Sequence, residues 1–382
     1  MAFMPLPRSL TLAVTYPGDP TDPRQWSGTP AGLIRGLSKA GVTVVPVDVT
    51  PPGPVARVWT RAVTPRLRPT SEELLTLGRE SAAYARAVGA TALARVPRSV
   101  DGVLQIGSGY RVRHRHVATF EDMTVAQAVR HSWGPFAYLP PAVADGRRRL
   151  QQSVYAAADV CFAATSWTAR SIEDDYGIPA ARVHVTGLGV NREVGDVTER
   201  DWDVPVFLFV GHDWERKRGD AVVRAFGAVR HRHPEAQLHL VGAGVPAVQQ
   251  DGVIPHGALP MSDPDAQRRL ADLFRRATCL VVPSRLEPAG IVYAEAGSMG
   301  IPSIGTTVGG APDMIGPGGT VVSPEDDEAL MDAMVALSEP GAARAAGQRA
   351  RDHAASLTWE AVGARIADRW AKGISGTRAA AR

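Results

Sequence analysis

Lysine and cysteine are both scarce in this 382-residue chain. Lysine occurs only at positions 39, 217 and 372, and none of these lies in a motif that would carry pyridoxal phosphate. The two cysteines, Cys161 and Cys279, each lie within an apolar run, which indicates buried thiols in a reducing compartment. This low count excludes a disulfide framework and a cysteine-based zinc site.

Long hydrophobic runs are also missing. No segment approaches the roughly 18 apolar residues of a membrane span, and the first residues are too broken by proline to form a secretory signal. We therefore expect a cytoplasmic protein. The net charge of +3 is too weak to indicate nucleic acid binding, although it suits an anionic ligand.

Short, β-branched apolar runs alternate with longer segments of helical character. The expected strands of the first half are 9–17, 43–49, 102–107, 116–121, 160–165 and 183–190. After a polar stretch the pattern restarts, with strands expected at 206–211, 237–244, 279–284, 302–307 and 319–324. Near-continuous apolar strands separated by helices are typical of parallel sheets covered on both faces. We therefore predict an α/β fold of two doubly wound domains that face a cleft, with a linker near 193–203.

The stretch SRLEPAGIVYAEAGSMGIP, residues 284–302, combines a predicted strand end, a loop and a helix. Glu287 precedes this helix, Gly290 opens it, and Glu295 lies within it. The amino end of the helix is then at the carboxyl edge of a sheet, where unpaired N–H groups favour phosphate. Ionised carboxylates only accept hydrogen bonds, so the two glutamates suit the hydroxyl groups of a sugar nucleotide on either side of its diphosphate.

This spacing resembles the retaining glycosyltransferases of family 4, which have the GT-B fold, because their E-x7-E motif appears here as EPAGIVYAE. Four further segments resemble the family: QWSGTPAGLIRGL (25–37), SWTARSIEDDYGIPAARVHVTGLGVN (166–191), VGHDWERKRGDAVVRAF (210–226) and TTVGGAPDMI (306–315). The resemblance implies two Rossmann-like domains, acceptor-binding over 1–198 and nucleotide-sugar-binding over 199–355. It also implies that a C-terminal helix and tail, 356–382, pack back towards the first domain.

The resemblance assigns roles to matching residues. Lys217, helped by Arg216, would neutralise the leaving diphosphate as charge develops on it. Glu287 would contact the donor sugar, and Glu295 would hold the ribose. The other implied donor contacts are Gly28, Gly211, His212, Gly290, Ile291, Gly309 and Gly310.

The sequence departs from the family in its second half at three positions. His212 replaces an arginine that often follows the strand glycine, Ala289 replaces the phenylalanine of Glu-Pro-Phe-Gly, and Asp313 replaces a glutamate after the glycine pair. These changes put the corresponding donor contacts in question.

The first half departs as well. Glu121 and Asp122 stand in the place of the family's His-Asp, and the resemblance puts them near the reacting sugar, in a catalytic role. His114 and His116 are close in sequence and are alternatives for that role.

The implied reaction moves a sugar from a nucleotide diphosphate to a hydroxyl acceptor, with retention of anomeric configuration. The composition, rich in Ala, Arg, Gly and Pro, indicates a bacterial protein. No Asp-x-Asp segment follows a predicted strand, so we expect no metal and no cofactor besides the donor. An epimerase acting on the same donor and a catalytically degenerate sugar-nucleotide-binding partner protein are the alternatives. The lack of a suitable lysine disfavours a phosphorylase.

The acceptor stays open among small molecules, lipids and glycans, as do the donor sugar and its base. The arginines at 147–149 leave open a peripheral association with the anionic inner face of a membrane.

Overall fold

The computed structural model of the chain describes residues 10–52, 78–191 and 200–380. It forms two compact units, one made of Met1–Gly187 with Trp359–Arg382 and the other of Leu188–Thr358. The predicted domain boundary at 198 and most of the predicted linker lie outside the described residues.

Six parallel strands form the sheet of the first unit, in the order β2-β1-β3-β4-β5-β6. Their bounds are β1 Thr11–Tyr16, β2 Thr43–Asp48, β3 Gly102–Ile106, β4 Val117–Glu121, β5 Val160–Ala163 and β6 Val183–Val185. Every residue of β3 and β4 is buried, as the near-continuous apolar runs predicted. The helices of this part are α1 Thr29–Lys39, α2 Ala82–Arg95, α3 Val125–Arg130, α4 Pro141–Ala157 and α5 Ser166–Asp174. All six predicted strands of the first half are confirmed.

The second unit contains another parallel sheet, in the order β12-β11-β10-β7-β8-β9. Its strands are β7 Val206–Val210, β8 Gln237–Val241, β9 Val253–Gly257, β10 Cys279–Val281, β11 Ser303–Thr306 and β12 Gly319–Val322. Its helices are α6 Gly219–Arg232, α7 Pro264–Arg276, α8 Ile291–Ser298, α9 Ala311–Ile315, α10 Asp327–Ala336 and α11 Pro340–Ala354. Phe207, Phe209 and Phe226 are fully buried in its core.

One strand of the second sheet was not predicted from the sequence. Strand β9 has the sequence VIPHG, in which only Val253 is buried and the following positions alternate between half-buried and exposed. It lies at the edge of the sheet, where one side needs no hydrogen-bonding partner, so Pro255 is tolerated. A short strand that contains proline and lacks a continuous apolar run carries little sequence signal.

The strand order reverses once in each sheet, between β1 and β3 in the first and between β7 and β10 in the second. In open α/β sheets the loops that leave the carboxyl ends of the strands diverge at such a point and form a crevice for ligands. The loops after β7 and after β10, at 211–218 and 282–290, therefore meet at the carboxyl edge of the second sheet.

The C-terminal helix α12, Trp359–Ala380, belongs to the first unit and packs against α1. Glycines allow the two helix backbones to approach closely. A Cβ at Gly36 would lie 1.9 Å from the carbonyl oxygen of Trp359, and one at Gly32 would lie 2.1 Å from its indole. The predicted return of this helix to the first domain is confirmed.

Candidate functional site

Lys217, Arg216 and Glu287 lie at the carboxyl edge of the second sheet, in the loops that follow β7 and β10. A backbone hydrogen bond joins these loops, from the N–H of Arg285 to the carbonyl oxygen of Arg216, with an N–O distance of 2.8 Å. Because β7 and β10 are neighbours where the strand order reverses, the topology brings together side chains that are 70 positions apart.

The Glu287 carboxylate is buried and surrounded by donors. Lys217 Nζ lies 3.3 Å from its Oε2, and Ser284 Oγ donates to the same oxygen at 3.2 Å. Arg216 Nη1 is 3.6 Å from that oxygen and donates to the carbonyl of Leu286 at 2.8 Å. Burial alone raises the pKa of Glu287, but the two cations and the hydrogen bonds from Lys217 and Ser284 outweigh it and lower the pKa below its ordinary value. Glu287 is therefore an ionised carboxylate in a buried place.

Gly211, directly after β7, makes room for the lysine. A Cβ at Gly211 would lie 2.2 Å from Cδ of Lys217, so only a bare backbone lets that side chain reach Glu287. The next residue, His212, is exposed, and its ring makes no hydrogen bond or ion pair with any described residue. The structure thus brings Gly211 to the site and leaves His212 at its surface.

Helix α8 begins directly after Gly290, whose φ of 84° lies in the left-handed region. A Cβ there would lie 2.5 Å from the ring of Tyr293 and 2.9 Å from Cγ of Glu287, so the position requires glycine. Tyr293 Oη donates to the carbonyl of Val282 at 2.6 Å and ties the first turn to the end of β10. The N–H groups of the first turn, starting at Ile291, therefore open next to the loop that carries Glu287.

Glu295 lies in the second turn of α8, and only 8% of it is exposed. The E-x7-E motif thus places one carboxylate before the helix and one inside it, and both are buried. Charged glutamates are rarely buried unless they have partners, so this burial distinguishes the pair from ordinary surface charges.

The glycine pair after β11 lies against the backbone of Glu287. Gly310 N–H donates to the carbonyl oxygen of Glu287 at 2.9 Å, and Glu287 N–H donates to that of Val308 at 3.1 Å. Gly309 has a φ of 110°, and a Cβ there would lie 2.1 Å from the Glu287 carbonyl oxygen. Asp313 donates its N–H to the carbonyl of Gly310 at 3.1 Å. The close approach at Gly309 therefore positions Glu287.

In the first unit, Glu121 ends β4 and Asp122 follows it, at the carboxyl edge of the sheet. Burial raises the pKa of Glu121 to about 8, although a hydrogen bond with Ser108 lowers it. Its Oε1 has no hydrogen-bond partner among the described residues. Ser108 Oγ in turn accepts a hydrogen bond from Gln151 Nε2 at 2.5 Å. Glu121 is therefore a protonated acid at neutral pH, part of a buried polar network.

Asp122 belongs to a second cluster. The indole Nε1 of Trp26 donates to its Oδ2 at 3.0 Å, and the ring of Tyr16 stacks on Trp26 with centroids 6.4 Å apart. Trp26, Ser27 and Gly28 have φ values of 42°, 53° and 82°, so three successive residues are left-handed. That conformation disfavours residues other than glycine, and such strain is often found at binding sites. The structure thus brings Gly28 and Asp122 to one loop cluster.

His114 and His116 do not join these groups. His116 immediately precedes β4, and its Nδ1 lies 3.5 Å from Oδ2 of Asp159. His114 Nδ1 lies 3.0 Å from the His116 carbonyl oxygen. Because Glu121 is the last residue of the same strand, the histidines lie at the opposite edge of the sheet. They are not alternatives for the role assigned to Glu121 and Asp122.

Three side chains at these places were missed by the sequence analysis: Ser284, Ser108 and Trp26. Ser284 stands three residues before Glu287, a spacing at which a hydroxyl can reach a carboxylate in a tight loop, and this was the available signal. Trp26 occurs in a glycine-containing loop, and its position there was the available signal. Ser108 had no such signal, because its contact with Glu121 depends on strand pairing.

Within residues 10–52, 78–191 and 200–380, no three His, Cys, Asp or Glu side chains are grouped so as to hold a metal ion. None of the helices in these ranges is both long enough and apolar enough to cross a membrane.

Known proteins resemble this chain in both sequence and fold. Residues 204–339 match the family model described as "Glycosyl transferases group 1". The D-inositol 3-phosphate glycosyltransferase 1 of Catenulispora acidiphila is 28% identical over 376 residues, covering 84% of this chain and 87% of that protein.

Among solved structures, sucrose-phosphate synthase from Thermosynechococcus elongatus has a TM-score of 0.65 at 19% identity, covering 96% of this chain and all of that one. A glycosyltransferase from Rickettsia africae has a TM-score of 0.60 at 14% identity, covering 96% and 99%. At these identities the structures show the fold alone.

Two α/β units, each with a six-stranded parallel sheet, form the GT-B architecture of these solved structures. The sequence match is narrower. Residues 204–339 match the group 1 glycosyl transferases, and the resemblance seen in the motifs is confirmed.

Proposed function

We propose that this glycosyltransferase takes a sugar from a nucleotide diphosphate donor and transfers it to a hydroxyl acceptor with retention of configuration. The observation that carries the proposal is the meeting of Lys217 and Arg216 with the ionised Glu287 beside the amino end of α8. Cations and helix N–H groups suit a diphosphate, whereas a carboxylate suits sugar hydroxyls. The phosphate-binding groups and the carboxylate therefore lie together where the strand order of the second sheet reverses.

The donor diphosphate would lie at the amino end of α8, with N–H groups of Gly290 and Ile291 as donors. Lys217 and Arg216 would stabilise the charge that grows on the diphosphate as the glycosidic bond breaks. Glu287 would accept hydrogen bonds from the sugar, and Glu295 from the ribose. The ion pair of Lys217 with Glu287 holds both side chains in place for these contacts.

Retention follows if acceptor and leaving group use the same face of the sugar. The bond from the anomeric carbon to the diphosphate oxygen breaks, and a bond to the acceptor oxygen forms on that face. The acceptor proton passes to the departing diphosphate oxygen. Glu287 is unsuited as a nucleophile because its Oε2 already faces Lys217, Arg216 and Ser284.

The acceptor to test first is D-inositol 3-phosphate, because the relative from Catenulispora acidiphila is named for it.

The donor site is tested before any acceptor. Thermal unfolding is measured with UDP, GDP, ADP and dTDP, for the parent chain, for Glu295→Ala and for Glu328→Ala. Glu328 is an exposed glutamate of α10 in the same unit and serves as the matched control.

A nucleotide at 100 times its Kd stabilises the folded state by about 2.7 kcal/mol, which is a shift of roughly a few degrees. We expect one nucleotide to raise Tm for the parent and for Glu328→Ala, and to raise it less for Glu295→Ala. The absence of a Tm shift with all four nucleotides would contradict the proposal. NMR of the product anomer with the matching donor then tests retention, and epimerised donor or binding without turnover would favour the two alternative functions.

A further inference from the structure

The first unit contains a groove whose lining residues are not among the candidate donor-binding or catalytic residues. It runs between α2 and α4, and the loop after β3 contributes part of its wall. Its volume is about 980 Å³, at the upper end of the range for pockets that hold small ligands. All of its described lining residues belong to the first unit.

Small and apolar side chains make up much of the lining. They include Ala83, Gly89, Ala90 and Leu93 of α2 with Val143 and Leu150 of α4. Leu93 is 60% exposed, whereas Val88 and Ala92 on the inner side of the same helix are buried in the core. An apolar ligand that covers such a surface gains about 25 cal/mol for each Å² removed from water. A purely polar ligand would leave this gain unused.

The same groove is strongly basic. Its charged lining residues are Arg86, Arg111, Arg113, Arg147 and Arg149, with Glu80 as the acid. Arg147 pairs with Glu80 at 2.7 Å, and none of the other four arginines forms an ion pair with a described residue. Guanidinium groups bind phosphate and carboxylate through paired hydrogen bonds. An anionic group therefore complements the arginines.

Arg147 connects the groove to the carboxyl edge of the first sheet. Its Nη1 donates to the carbonyl of Gly109 at 2.9 Å, in the loop after β3. The preceding residue, Ser108, belongs to the polar network around Glu121. One end of the groove thus lies beside the sheet edge at which α/β folds bind ligands.

We propose that this groove binds a single anionic amphiphile, a molecule with an acyl-type or prenyl-type chain and a phosphate or carboxylate group. The chain covers the alanine, leucine and valine side chains, and the anionic group pairs with the arginines. A neutral chain would leave these guanidinium groups without counter-charge, and inorganic phosphate would leave the apolar lining in water. A concavity between two helices encloses one chain and does not match a flat bilayer. The inference goes beyond the proposed function, because this ligand binds in the first unit whether or not sugar transfer occurs.

Calorimetric titration of the full chain with dodecyl phosphate, below its critical micelle concentration, tests the proposal. We expect one molecule bound per chain, at least about tenfold more tightly than dodecyl maltoside, which lacks the anionic group for charge-assisted hydrogen bonds, or inorganic phosphate, which lacks the apolar chain. The double variant Arg86→Glu with Arg149→Glu should weaken binding at least tenfold. Leu93→Asp should weaken it by removing apolar contact and adding like charge.

Arg170→Glu is the matched control, because Arg170 is an exposed arginine of α5 outside the groove, and we expect it to bind like the parent. Thermal unfolding of each variant verifies that it folds. Equal affinity for dodecyl phosphate and dodecyl maltoside, or no effect of the groove variants, would overturn the proposal. So would cosedimentation with phosphatidylglycerol vesicles without binding of the monomeric amphiphile, which would indicate a membrane-facing surface. The nucleotide-induced Tm shift reports on the second unit, so either proposal can fail alone.

Discussion

Lys217 Nζ and Glu287 Oε2 lie 3.3 Å apart, although the residues are separated by 70 positions. The lysine follows β7 and the glutamate follows β10, and these strands are neighbours where the strand order reverses. Lys217 reaches the carboxylate by passing over the bare backbone of Gly211. A cation and a carboxylate are thereby held together at the sheet edge where the fold places its ligands.

Replacing Lys217 should slow sugar transfer more than it weakens donor binding. We expect Lys217→Ala to lower kcat about 10²–10³-fold, because the lost charge acts mainly on the leaving diphosphate. Steady-state kinetics with the donor found by the unfolding screen measures this. Lys372→Ala is the control, since Lys372 is an exposed lysine of α12 paired with Asp368. Equal kinetics for the two variants would remove Lys217 from the mechanism.

Glu121 should make the stability of the first unit depend on pH. Its pKa is about 8 in the folded chain against an ordinary 4.5, so the folded state keeps a proton that the unfolded state loses between these values. The contribution of this group to stability is therefore fully present below about pH 4.5 and falls by about 1.4 kcal/mol per pH unit from there towards pH 8.

Glu121→Gln should abolish that decline, and above pH 8 it should be more stable than the parent. Urea unfolding at several pH values measures how the free energy of unfolding of the first unit changes with pH. Glu173→Gln, on α5 of the same unit, should retain the parental slope. An unchanged slope in Glu121→Gln would show that Glu121 is not the group responsible.

Gly309→Ala should destabilise the second unit and displace Glu287. The new Cβ meets the Glu287 carbonyl oxygen at 2.1 Å, and the φ of 110° is strained for alanine. We expect a loss of at least about 3 kcal/mol in the free energy of unfolding, together with loss of activity. Gly257→Ala separates the strain of a positive φ from the steric clash, because its φ is 66° but no atom lies within 4 Å of the added Cβ. That variant should lose only about 1–2 kcal/mol, and a matching loss in both would refute the steric argument.

Trp359→Ala should loosen the C-terminal helix from the first unit. The indole is 1% exposed and packs on Gly32, so its removal should cost about 3–5 kcal/mol. Hydrogen exchange should then speed up in α1 while α6 of the other unit stays protected. Leu93→Ala, at a leucine that is 60% exposed, should change stability by less than about 0.5 kcal/mol. Equal exchange in α1 for parent and Trp359→Ala would contradict the role of this helix.

Much of the fold could be predicted from the local pattern of apolar residues. Apolar runs predicted eleven of the twelve described strands, because a strand buried on both faces needs a continuous apolar sequence. The missing strand, β9, lies at an edge and contains Pro255, so its pattern is weak. Gly290 was predicted to open a helix, and its left-handed φ explains why glycine stands there.

The side-chain environments were much less accessible. The family resemblance implied a place for Glu121 near the reacting sugar, but nothing local indicates that its carboxyl is protonated at neutral pH and linked to Ser108. The same is true of Trp26, which meets Asp122 from 96 positions away. Such contacts depend on which strands are neighbours, and strand order is set by the packing of the whole sheet.

The sequence by itself thus determined the alternation of strands and helices, the E-x7-E spacing and the family resemblance. These are short-range properties, fixed by periodic burial and by turn geometry. Only the tertiary structure decided that Lys217 and Glu287 form an ion pair, that Gly309 is the backbone contact of Glu287, and that five arginines share a groove with apolar side chains. Each of these relationships joins segments that are distant in the chain, and long-range contacts form only when the sheets and helices pack together.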